Sequence, residues 1–127
     1  MKSTIFSVLL LLSCNAFSQV EYPCELKAQG LSIPKYEYKL LQRSMSYPEK
    51  ALREGIQGCV LVVYNFENDW KIQRNYLLPQ NIQVLESPSE LLSDEVLRTM
   101  ARSAIPNNEV DLASGSKFYT IVSFTLL

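Results

Sequence analysis

Beyond its first twenty residues, the chain is least polar at "CVLVVYNF", residues 59–66. Its β-branched and aromatic content predicts a strand. Val60, Val62, Tyr64 and Phe66 then point one way, and Cys59, Leu61, Val63 and Asn65 the other. A half-buried strand normally keeps one face polar, so the second face here needs a cover. Just upstream, "SYPEKALREG" predicts a short helix. Ser46 and Glu49 have the spacing of a capping box, Pro48 suits a first turn, and Gly55 suits a left-handed stop. About two turns do not survive without packing, and Ala51 and Leu52 are the expected inward residues.

"ENDW" at 67–70 carries turn chemistry, so a second strand is expected from Lys71 or Ile72. Pro79 either breaks that strand or places it on a sheet edge. "SPSELLSDEVLRTMARSAIP" predicts a second helix beginning between Ser89 and Ser93 and ended by Pro106. Leu92, Val96, Met100 and Ala104 recur at i+4, and Leu97 and Ala101 widen the stripe. A loop, "NNEVDLASGS", leads to a closing strand, "KFYTIVSFTLL", with Phe118, Thr120, Val122, Phe124 and Leu126 on one face. Residues 19–45 are the least patterned, interrupted by Pro23, Gly30 and Pro34. Within them "KYEYKLLQR" reads as a short strand with Tyr36, Tyr38 and Leu40 on one side. The order helix, strand, strand, helix, strand predicts an α+β fold, with two helices on a three-stranded antiparallel sheet.

Residues 1–18 stand apart. Lys2, the apolar run Ile5–Leu12 and "AFSQ" have the form of a signal peptide cut before Gln19. The run is too short for a membrane span, which needs about 20 apolar residues. "LLSC", ending at Cys14, loosely resembles a lipobox, so lipidation at Cys14 is the rival route. The expected organisation is a signal peptide at 1–18, an extension at 19–45 and one domain at 46–127. Export implies a periplasmic or secreted protein. There Cys24 and Cys59 are expected to form one disulfide, with two free buried thiols as the alternative.

Composition narrows the function. At 47% hydrophobic and 20% charged the chain is that of a folded globular protein. A net charge of −1 gives no electrostatic case for nucleic acid. The absence of histidine removes the usual general base and zinc ligand. Two mature cysteines fall short of a structural zinc site, which takes four ligands. The four glycines, at 30, 55, 58 and 115, are scattered and make no phosphate loop. Asp94 and Glu95 are adjacent, but acids early in a helix meet its dipole favourably, so their reading is structural. Glu67 and Asp69 flank the turn and are expected in solvent. Trp70, beside it, is expected to cap the core rather than to bind. The sequence predicts no enzyme and no cofactor.

"YPEKALREGIQGCVLVVYNF" resembles the opening of a TonB C-terminal domain. The matching residues are Tyr47, Pro48, Ala51, Gly55 and Gly58, then Val60, Val62, Tyr64 and Phe66. "LLSDEVLRTMARSAIP" is similar to the family's second helix and "YTIVSFTLL" to its closing strand, so the resemblance spans roughly 46–127. The family's Asp-Gly turn is replaced by Asp69 and Trp70, and the stretch from Ile72 to residue 84 is longer. The resemblance implies a periplasmic domain of outer-membrane transport systems. Such a domain pairs by strand addition with an extended transporter segment, or with a second TonB-like chain. With no membrane span of its own and no Pro-rich spacer, the chain is expected not to draw on a proton gradient by itself. The alternative is a structural or self-associating periplasmic protein, for instance a homodimer, with no transporter partner.

On that alignment, Val60, Val62, Tyr64 and Phe66 pack under the helices. Cys59, Leu61 and Val63 then face outward, and the segment 19–45 is expected to cross them, stapled by a Cys24–Cys59 bond. Strand 59–66 should be central, between 71–78 and 117–126. The last would be an edge, and "FYTIVSFTLL" carries neither charge nor proline to blunt it. It is therefore expected either to be covered by the N-terminal segment or to accept a peptide strand. The expected binding residues are Phe118, Tyr119, Thr120, Ile121 and Val122, together with Gln42 and Arg43.

Overall fold

The structure is a computed structural model and describes residues 21–68, 76–106 and 117–126. The expected signal peptide, Cys14, Asp69, Trp70, the strand start at 71 or 72 and the 107–116 loop lie outside the described residues. The described elements are helices α1 (Tyr22–Ala28), α2 (Lys39–Ser44) and α3 (Glu49–Glu54), strands β1 (Gly58–Asn68) and β2 (Tyr76–Glu86), helix α4 (Glu90–Met100), and strands β3 (Ile105–Pro106) and β4 (Lys117–Phe124). The strands form one antiparallel sheet in the order β3-β2-β1-β4. The α+β class stands, but the expected three strands and two helices are corrected to four and four among the described residues.

β1 is central because both of its faces are apolar and both become covered. On the inner face Val60, Val62, Tyr64 and Phe66 meet Leu92, Val96 and Met100 of α4, with Tyr38 and Leu41 of the N-terminal segment. On the outer face Cys59 and Leu61 are buried with Cys24 and Ala28 of α1, flanked by Leu31, Leu85, Tyr119 and Ile121. Cys24 is bonded to Cys59, with an S–S distance of 2.10 Å. The cover that the sequence calls for is therefore the chain's own α1, clamped covalently onto the sheet.

Four local expectations are corrected. The stretch Tyr36 to Leu40 is not a strand beyond one bridge at Lys35. It turns into α2 because the inward positions are Tyr38 and Leu41, a helical rather than an alternating spacing, and Leu40 is left 40% exposed. The Tyr38 hydroxyl enters the core and donates to the Ser103 carbonyl. Ser46 caps nothing: α3 begins after Pro48, and the Ser46 N–H donates to Glu95 Oε2 at 3.0 Å. A helix of six residues buries only Ala51, so Leu52 stays 48% exposed.

The fourth correction concerns α4. It starts as expected, with the Leu91 N–H donating to Ser89 Oγ at 3.1 Å, but it stops at Met100 rather than running to Pro106. The Arg102 and Ser103 N–H groups turn back onto the Thr99 and Met100 carbonyls. Ile105 and Pro106 then pair with Leu77 and Tyr76 as β3. Pro79 sits inside β2, opposite Phe66. β3 reaches only Tyr76 and Leu77, so β2 is an edge from there on among the described residues, where a missing donor is tolerated.

Candidate functional site

β4 is the opposite edge of the sheet, and its two ends differ. Tyr119 is already paired. Its N–H donates to the Pro34 carbonyl at 3.0 Å, and its carbonyl accepts from the Tyr36 N–H at 2.9 Å. Those bonds fix the phase of the strand. In an antiparallel ladder, neighbouring residues turn their polar groups alternately toward and away from the partner strand. With Tyr119 turned away from β1, Ile121 and Ser123 are turned away too. Their N–H and C=O groups have no hydrogen-bond partner among the described residues. The edge is closed by the chain's own segment at Tyr119 and open from Ile121 to Ser123.

A groove of 590 Å³ runs along the open stretch. Its inner wall carries Met45 and Tyr47, which pack on the main core, and the Tyr47 ring meets Phe124 edge-on at 5.4 Å. The Tyr47 hydroxyl donates to the Ile56 carbonyl, which ties the wall to the end of α3. Burial raises this phenol's pKa, so it stays a neutral donor. The outer wall begins at Glu21, the residue before α1, whose Oε1 accepts from Ser123 Oγ at 2.6 Å.

Segment 42–47 is held in place by Glu95, whose side chain is only 8% exposed. Burial alone would raise its carboxyl pKa. The Arg98 guanidinium, the Ser46 N–H and the Thr99 hydroxyl outweigh that and hold it below the ordinary carboxylate range. Glu95 is thus an ionised anchor inside the fold, not a free acid. Burial likewise pushes the Tyr38 and Tyr64 hydroxyls well above the usual phenol range. Tyr64 and Thr120 share a buried hydrogen bond of 2.5 Å.

The residues expected at a binding edge are divided by the structure. Gln42, Ile121 and Val122 line the groove. Phe118 and Thr120 are buried, Phe118 against Phe66 and Thr120 donating to the Tyr36 carbonyl at 2.9 Å. Tyr119 is half-buried on the outer face, with its backbone occupied by residues 34 and 36. Arg43 lines a separate pocket with Tyr36, Lys39 and Ile105. Glu21, Met45 and Ser123 line the groove and were not expected there. Nothing local marks them, because their meeting depends on the disulfide-held α1 and on the Glu95 anchor. Among the described residues, no three acids or cysteines gather where a metal ion could sit. No helix among them is long and apolar enough to cross a membrane.

Fold and groove together define a small α+β module with a groove along the unpaired part of its β4 edge among the described residues. No family model matches the sequence, and no curated protein does. Among solved structures, the solution NMR structure of the Pseudomonas aeruginosa TonB CTD is similar to this chain. The two share 27% identity over 67% of this chain and 81% of that one, with a TM-score of 0.48.

Proposed function

We propose that the protein is a TonB-like periplasmic module that binds an extended segment of an outer-membrane transporter as an added strand along β4. The observation that carries this is the outward N–H and C=O groups of Ile121 and Ser123, which have no partner among the described residues and lie beside a groove. Strand addition draws affinity from such main-chain groups and selectivity from flanking side-chain pockets. The Tyr-Pro motif on which the family resemblance rests supports the reading, because Tyr47 lines that same groove.

The test is direct. Periplasm-facing segments of outer-membrane transporters, immobilised as extended peptides, should capture the mature protein. Ile121→Pro removes an outward N–H and leaves the ladder to β1 intact, so it should cut capture by up to about tenfold while circular dichroism stays unchanged. Unchanged capture by a folded Ile121→Pro protein would sink the proposal. So would a dimer in gel filtration that Ile121→Pro dissolves, because the edge would then belong to a second copy.

A further inference from the structure

We infer that the segment added to β4 carries a basic side chain opposite Ser123 and an apolar one opposite Val122. This rests on strand addition at β4 and goes on to specify what the added strand contains. Paired residues in a sheet send their side chains to the same face. Ile121 and Ser123 belong to the outer face of the sheet, while Val122 and Phe124 belong to the inner one. The pairing of Tyr119 with Pro34 and Tyr36 blocks the strand's other end. The register of an incoming segment is therefore confined to the open stretch, whichever direction it runs.

The two walls differ in chemistry. A residue opposite Val122 points to the inner wall, between Met45 and the Tyr47 ring, which offers apolar surface. A residue opposite Ser123 points to the outer wall at Glu21. Glu21 is the groove's one charged lining residue among those described. Its carboxylate makes no cap bond to α1, and one of its oxygens accepts from Ser123 Oγ. It stands three residues before Cys24, so the bond to Cys59 fixes where the charge sits. Arg43 lines the other pocket and adds no opposing charge to the groove lining. An incoming lysine or arginine meets a fixed acid there, and an incoming acid is repelled.

The experiment uses the mature, oxidised protein and short soluble peptides of alternating threonine and valine. At the position opposite Ser123 they carry lysine, glutamine or glutamate. Because Glu21 is exposed, the preference is modest. Lysine should bind roughly threefold tighter than glutamine, and glutamate about as much weaker, with the gap narrowing in salt. Glu21→Lys should invert the order, and Glu21→Gln should flatten it. Replacing the apolar residue opposite Val122 by aspartate should weaken all three peptides, and Met45→Ala should reduce that penalty. Equal affinities for lysine and glutamate peptides, or an order unmoved by Glu21→Lys, overturn the inference while leaving strand addition standing. Peptide binding that a folded Ile121→Pro protein retains, or no binding by any peptide, overturns strand addition itself.

Discussion

Replacing both Cys24 and Cys59 by alanine tests the claim that a covalent clamp holds α1 on the outer face of the sheet. The two residues are 35 apart in sequence. Opening a loop of that length returns chain entropy to the unfolded state worth about 4 kcal/mol at room temperature. That is a large share of the roughly 5–15 kcal/mol by which a domain of this kind is stable. Both cysteines are also buried, so the smaller alanines forfeit packing beside Leu61 and Ala28. In urea, with a slope of about 2 kcal/mol per molar, the midpoint should fall by about 2 M. The slope itself should rise slightly, because the unfolded chain without its loop exposes more surface. The measurement is urea unfolding by circular dichroism of the oxidised protein, the double variant, and the parent protein in reductant. The reduced parent should fall nearly as far, short of the double variant by the packing its thiols keep. Coincident midpoints for the parent and the double variant under oxidising conditions would refute the clamp.

Two further predictions follow from local chemistry. Glu95 is ionised in the fold with its pKa lowered, so its contribution is full above the unfolded value of 4.5 and is lost as pH falls below it. Glu95→Gln should cost about 2 kcal/mol at neutral pH and remove part of that acid dependence, measured as urea midpoints against pH. Gly55 and Gly58 both have positive φ, at 69° and 146°. A Cβ on Gly55 meets nothing, whereas one on Gly58 lies 2.9 Å from Pro88 Cγ. Gly55→Ala should therefore cost about 1 kcal/mol and Gly58→Ala roughly 2 kcal/mol or more, and equal losses in thermal melts would contradict the contact.

The parts legible in the sequence are those whose signal is local. β1 shows in its run of apolar residues, α4 in its i+4 stripe and Ser89 cap, and β4 in its alternation. The need for an outer cover also shows, since Leu61 and Cys59 cannot face water beside Val60 and Val62. Register and termination are less legible because tertiary partners decide them. Ser46 has a capping residue's chemistry, but its N–H goes to Glu95, which lies 49 residues away. Tyr36 and Tyr38 alternate as in a strand, yet Tyr38 is drawn into the core by the Ser103 carbonyl, and α2 follows. β3 is two residues long and exists only because β2 lies beside it. The groove is the least legible part of all. Glu21, Met45 and Ser123 meet through a disulfide, a buried carboxylate and a sheet edge, and no window of sequence contains all three.

The two edges of the sheet are finished differently, and the difference bears on what the open one can do. β2 is blunted: it carries Pro79, irregular pairing with β1 at two places and a positive φ at Asn81. The Lys27 ammonium sits on its Leu85 carbonyl at 2.8 Å and on Glu86 at 3.1 Å. These are the devices by which edge strands avoid unwanted pairing. The stretch from Phe118 to Leu126 has none of them, and among the described residues the chain's own segment closes only the end at Tyr119. What remains open is the outward N–H and C=O of two residues. Each such bond nets about 0.5–1.5 kcal/mol, so the set of four is worth about 2–6 kcal/mol and reaches at most the low end of an association cost of about 4–15 kcal/mol. Backbone pairing at this stretch is enough to align a segment and too weak to hold one. The remaining affinity has to come from side chains set against Met45, Tyr47 and Glu21. A partner for this edge is therefore selected by what its alternate side chains present to the two walls, and an arbitrary extended chain falls off.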